Sequence, residues 1–141
     1  MPYQTDPRWT TGRPSRKHSF NQTLQGGALS GQDVFFAGSG NDLIGLGSGN
    51  DVVFAGTGAS TVIAGSGKDI FAFTNGQSGG TETIIGFKPR TDELSVQGYA
   101  PGEIARDLAS ATTSAANTTL TLSDNTRITL MGVSSANTSL F

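Results

Sequence analysis

The chain contains no cysteine. Disulfide staples, thiolate metal sites and cysteine nucleophiles are thereby excluded. A secreted chain without them takes its stabilisation elsewhere, and bound metal is one source. Histidine occurs once, at His18, with no patterned partner, and no His-Glu-x-x-His metalloprotease motif exists. Charge is also scarce: charged residues make up 14% of the chain and the net charge is −2. That balance does not point to nucleic acid or to an acidic membrane surface. No apolar run approaches the roughly 18–20 residues that span a bilayer as a helix, so no transmembrane segment is expected. Between Met1 and Phe20 the chain carries Arg8, Arg13, Arg16 and Lys17 but no apolar stretch. The expectation is that no cleaved signal peptide is present and that any export address lies elsewhere.

What is abundant is glycine, with 20 of 141 residues against an ordinary share of roughly 7%. This length fits one domain, or one domain with tails. Composition divides it into three segments. Residues 1–27 form a polar, mildly basic arm with Pro2, Pro7 and Pro14 and no periodicity. The arm is either a plain tail or a partner-binding segment, and Trp9 and Tyr3 in it are either docked or exposed. Residues 28–72 repeat, and residues 73–141 carry ordinary strand signals.

Aligned in nines from Ala28, the repeat reads ALSGQDVFF, AGSGNDLIG, LGSGNDVVF, AGTGASTVI and AGSGKDIFA. Position four is always glycine: Gly31, Gly40, Gly49, Gly58 and Gly67. Position two is glycine in all but the first line, at Gly38, Gly47, Gly56 and Gly65. Position six is Asp33, Asp42, Asp51, Ser60 and Asp69, and position eight is Phe35, Ile44, Val53, Val62 and Phe71. A flexible linker does not hold acids and large apolar residues at fixed offsets from glycine, so this is a structural repeat of the kind that builds a solenoid. A turn with two glycines curls tightly and directs carbonyls inward. The aspartate that ends it adds a hard anionic oxygen, which suits calcium rather than zinc or copper. The last three residues of each line form a strand whose middle side chain enters the core. Neither a dinucleotide-binding nor a P-loop glycine pattern fits these turns.

The pattern resembles the RTX, or hemolysin-type, calcium-binding nonapeptide repeat. The resemblance implies an all-β fold, a short right-handed parallel β-roll extended by C-terminal strands. It also implies calcium ions held by the position-six aspartates and by the glycine turns at positions two and four. In such a roll two repeats complete one coil, so Asp33, Asp51 and Asp69 form one column and Asp42 and Ser60 the other. Like charges about 4.8 Å apart repel by roughly 1 kcal/mol even at the dielectric of water, and calcium between them reverses the sign. The first column is expected to hold two ions, and the second, with neutral Ser60, to be weak or empty. Position one is never glycine here, Leu29 stands at position two of the first line, and Ala59-Ser60 interrupts the fourth. These departures leave the number of ions open.

Beyond the repeat, Leu120 and Leu122 alternate, as do Ile128 and Leu130, around Ser123–Thr126. They predict a β-hairpin with a four-residue loop. Ile104 and Leu108 predict a short helix within 102–110, and 109–119 reads as a loop. Thr81–Phe87, Thr91–Val96 and the final hairpin resemble the region after the roll in serralysin-type secreted proteins, although Glu82 and Gly86 stand where that family usually has aspartate. That resemblance implies a cap on the roll and an uncleaved signal for a type I secretion apparatus. No catalytic constellation is expected. Asp92 and Glu93 are adjacent, but nothing in the sequence turns both toward one cleft.

Three functional classes remain open: a calcium-binding module that folds after export, a calcium-dependent surface or matrix adhesin, and the C-terminal module of a larger secreted enzyme or toxin. One surface stands out. The first, third and fifth repeats turn Val34, Phe36, Val52, Phe54 and Ile70 outward, against Leu43, Gly45, Thr61 and Ile63 on the other sheet. The expectation is that the first sheet is covered by the C-terminal strands, the N-terminal arm, a second copy of the chain or a parent domain, with Phe36 and Phe54 at the contact.

Overall fold

Each nonapeptide divides into a glycine-bearing turn, which is a poor helix, and a short β-branched or aromatic run, which favours a strand. A computed structural model of the chain, which describes residues 31–141 and the backbone of 22–25, shows the outcome. In chain order the strands are β1 (Gln22–Gln25), β2 (Val34–Phe36), β3 (Asp42–Gly45), β4 (Val52–Phe54), β5 (Ala59–Ile63), β6 (Ile70–Thr74), β7 (Thr81–Ile85) and β8 (Glu93–Gln97). Helix α1 (Glu103–Ser110), β9 (Thr112–Ser114), β10 (Asn117–Thr121) and β11 (Arg127–Met131) follow. Successive strands alternate between two sheets. One sheet is β2-β4-β6-β8, wholly parallel; the other runs β1-β3-β5-β7-β11-β10-β9. This is the all-β parallel roll extended by C-terminal strands.

The register explains the sequence. Phe35 lies beside Val53 and Val53 beside Phe71; on the other sheet Ile44 lies beside Val62. All five are buried, and the same rows continue into Leu94 and Ile84. Position one is explained as well. Ala37 and Leu46 are fully buried, and Ala55 and Ala64 pack against the core. In the four lines whose first residue is described, that residue thus packs into the interior, and a glycine there would leave a void.

Two segment boundaries differ from those that composition suggests. Gln22–Gln25, inside the segment read as an arm, pairs in parallel with β3 as the first strand of the larger sheet. The remainder of the arm, including Tyr3, Trp9 and His18, lies outside the described residues. The roll also does not end at Ala72: β7 pairs in parallel with β5, and β8 with β6. The segment 109–119 is not a loop throughout. Thr112–Ser114 and Asn117–Thr121 form an antiparallel pair across Ala115 and Ala116, both at positive φ. That tight turn usually selects asparagine or glycine, so two alanines conceal it.

The predicted hairpin forms as β10 and β11, and β11 joins β7 in parallel. Its loop is held by Asp124, which accepts hydrogen bonds from Thr126 N at 3.1 Å and Thr126 Oγ1 at 2.7 Å. The Tyr99 hydroxyl donates to the same carboxylate at 2.9 Å. The predicted helix forms as α1, with Ile104 and Leu108 packed against the core. The C-terminal strands therefore lengthen the larger sheet and leave the outer face of β2-β4-β6 uncovered by them.

Candidate metal columns

The two lines of turns between the sheets carry the polar groups of the repeat. On the first edge, Asp33 N donates to Asp51 Oδ1 at 2.8 Å, Asp51 N to Asp69 Oδ1 at 3.1 Å, and Asp69 N to Asp92 Oδ1 at 3.0 Å. The expected column of Asp33, Asp51 and Asp69 thus exists, and Asp92 adds a fourth member. All four are buried. Each bond uses one carboxylate oxygen to hold the main chain of the preceding turn. The other oxygen of Asp51 and of Asp69, Oδ2, is buried with no hydrogen-bond partner among the described residues. Burying a carboxylate oxygen without a partner is costly, and such oxygens commonly face an ion or water.

The electrostatics agree. Burial pushes the Asp51 carboxyl up to about 6; the hydrogen bond from Asp33 opposes this, while the charges of Asp69 and Asp33 add to it. Burial likewise raises Asp69, the Asp51 N–H opposes it, and the Asp92 charge raises it further. A divalent cation between these turns would reverse both influences.

The second edge is chemically mixed. Asp42, Ser60 and Glu82 occupy neighbouring positions across β3, β5 and β7. Burial, with the Asp42 charge second, pushes the Glu82 carboxyl up to about 8.

The glycines set the closeness of the turns. A Cβ on Gly49 would overlap the Gly31 carbonyl oxygen, and one on Gly67 would overlap that of Gly49. The other edge repeats this contact, Gly58 on Gly40 and Gly80 on Gly58. At position two, Gly56 meets Gly38 and Gly65 meets Gly47 in the same way. Every glycine singled out in the sequence therefore takes part in a stack in which no side chain fits. The turns offer main-chain carbonyls, a carboxylate in every described line but that of Ser60, and the amide oxygens of Asn41 and Asn50, which accept from Ala59 N and Lys68 N. Among the described residues no three carboxylate or imidazole side chains gather at one point. Oxygens of these kinds, without nitrogen or sulfur donors, suit calcium, a hard ion with flexible geometry.

The last turn of the first edge departs from the pattern. Arg90 takes the place of the position-four glycine, with φ 72. Lys88 stands at position two, its main-chain N donates to Asp92 Oδ2 at 2.8 Å, and its Nζ donates to the Gly65 carbonyl at 2.6 Å.

Sequence reasoning missed Asp92 and Glu82 as column members. The signal was present: each lies two residues before a buried apolar residue, Leu94 and Ile84, as the repeat aspartates do. Extra residues in the preceding turns shift both out of the count of nine. Asp92 and Glu93 have different surroundings: Asp92 is buried in the column, whereas Glu93 meets Lys68 Nζ at 3.3 Å near the surface.

On the outer face, Phe36 is half-buried and Phe54 is 36% exposed. Their rings stack with centroids 4.8 Å apart and planes 8° apart. Beside them lies a groove of about 450 Å³ whose rim includes Ser39, Thr57, Thr74 and Gln77. The expectation that C-terminal strands cover this face is corrected, because those strands find hydrogen-bond partners at the edge of β7 instead.

No curated protein matches the chain. Residues 19–53 and 45–77 match the model of the RTX calcium-binding nonapeptide repeat, in four copies. The match starts before β1 and runs past β6, which agrees with a roll that reaches beyond the strict nines on both sides. Residues 19–77 of this chain are therefore an RTX calcium-binding nonapeptide-repeat segment, and calcium is the ion that the segment binds.

Proposed function

We propose that this chain is a calcium-triggered folding module of a bacterial protein that leaves the cell by type I secretion. The supporting observation is the pair of buried, unpartnered oxygens, Asp51 Oδ2 and Asp69 Oδ2, in a column of like charges. In this reading Asp33 and Asp51 hold one ion, and Asp51 and Asp69 a second, with carbonyl oxygens of the stacked glycine turns completing each shell. Calcium supplies charge neutralisation and ligation of main-chain oxygens, and the residues of the chain supply the spacing.

At the low calcium of the cytosol, glycine entropy and the aspartate column oppose folding. The chain then stays extended enough to pass a narrow export channel. Outside, metal-binding free energy becomes folding free energy. Catalysis forms no part of this reading, and the partners it requires are calcium and an exporter. Circular dichroism during a calcium titration tests it. The expected result is a cooperative gain of β-structure with calcium, and an identical spectrum and melting point in chelator would overturn it.

A further inference from the structure

The second edge was expected to be weak because Ser60 is neutral. The structure adds a carboxylate that the repeat count does not include. Gly80-Thr81-Glu82-Thr83-Ile84 forms a further repeat turn and strand, with Gly80 stacked on Gly58 and Glu82 beside Ser60. Glu82 is 3% exposed, and its Oε1 has no hydrogen-bond partner among the described residues. It lies on the same side of its strand as Ser60 and Asp42, the three being successive members of one row. Glutamate carries one more methylene than aspartate, so a carboxylate at this position has a longer reach than an aspartate would have. Ser60 between them offers a small neutral oxygen and no competing charge.

We infer that Glu82 and Asp42 hold a calcium ion across Ser60, and that this ion ties β7 to the repeat. The inference rests on the calcium reading above. Its consequence lies in the C-terminal region. β7 pairs with β11 over Thr81–Ile85 and Arg127–Met131, and β11 carries β10 and β9. An ion at Glu82 fixes the strand on which the whole extension is built. The C-terminal sheet then orders only when the roll has bound calcium.

The test uses the full chain as wild type, Glu82→Gln and Asp51→Asn. Bound calcium is counted by equilibrium dialysis with metal analysis, and amide exchange is followed by segment. Glu82→Gln is expected to bind one ion fewer than wild type and to keep the ions that Asp51→Asn loses. Calcium should slow exchange in 81–85 and 127–131 of the wild type at least tenfold more than in Glu82→Gln, while 52–54 respond equally in both. An unchanged ion count with unchanged protection overturns this inference and leaves the calcium reading intact. A wild type that binds no calcium overturns both. Should Glu82→Gln fail to fold, Ser60→Asp decides: a third carboxylate between Asp42 and Glu82 tightens calcium binding at that site at least tenfold, and unchanged affinity counts against the site.

Discussion

The two edges of the roll are built from the same nine-residue sentence but solve different problems. The first edge stacks Asp33, Asp51, Asp69 and Asp92, each carboxylate after the first receiving the main-chain N–H of the turn before it. The second stacks Asp42, Ser60 and Glu82, where one member is neutral and another is longer. The first edge gains order from repetition and stores repulsion in the same carboxylates. The second has less charge to neutralise. Where cations bind a stack, the strongest coupling between folding and metal belongs to the edge that repels itself most.

Calcium removal tests that comparison with the largest effect. A site held at a hundredfold over its Kd contributes about 2.7 kcal/mol to the folded state, so loss of two first-edge ions exceeds much of the stability of a small domain. Chelation is expected to abolish the cooperative melting transition, measured by circular dichroism.

A glycine substitution comes next. Gly49→Ala places a methyl group against the Gly31 carbonyl oxygen in a left-handed backbone and is expected to cost about 3 kcal/mol or more. Gly58→Ala should cost a similar amount, since the second edge has the same contact. Gly45→Ala, in a strand with nothing within 4 Å of the added carbon, should change stability by less than about 1 kcal/mol. Denaturant unfolding of the three calcium-loaded variants ranks them, and equal losses at Gly45 and Gly49 would contradict the stacked turns.

Asp51→Ala and Asp42→Ala sharpen the contrast between edges. Asp51 serves two turn intervals, so its loss should weaken calcium binding about tenfold more than loss of Asp42, or about 1.4 kcal/mol, by isothermal titration.

The smallest effect is on pH. In calcium-free buffer Asp51 rises from 3.8 to about 6 and Glu82 from 4.5 to about 8 on folding. Both folded values lie above the unfolded ones. Their stabilising contribution is therefore fully present below about pH 4 and is lost as pH rises through 6 and then 8. Mild acid should partly replace calcium, with β-structure recovered near pH 4.5 in metal-free solution. Glu82→Gln should shift the loss to the lower window set by Asp51.

The chain displays its fold most openly where the spacing is constant. Between Phe35 and Phe71 the period of nine announces strand, turn and column together. On either side the same roll continues with altered spacing. Leu24 pairs with Ile44, and Ile84 with Val62, across turns of other lengths. Extra residues in a surface turn cost little, so the roll tolerates them while the periodic signal is lost. Glu82 was legible only as a departure from an aspartate pattern, and its partner row required three strands to be placed. Ala115 and Ala116 hid a tight turn, because alanine is uncommon at positive φ.

Lys88 bears on how such a structure stops. A roll whose turns are joined by cations resembles a growing crystal: each face it exposes invites another layer. At the last first-edge turn the ammonium of Lys88 reaches the Gly65 carbonyl, and its positive charge opposes the rise of Asp69 that burial drives. The cation at this layer is covalently part of the chain. It brings a positive charge to the Asp69 carboxylate without any ion from solution. On the calcium reading, the column that begins with metal between aspartates ends on an ammonium group that the chain itself supplies.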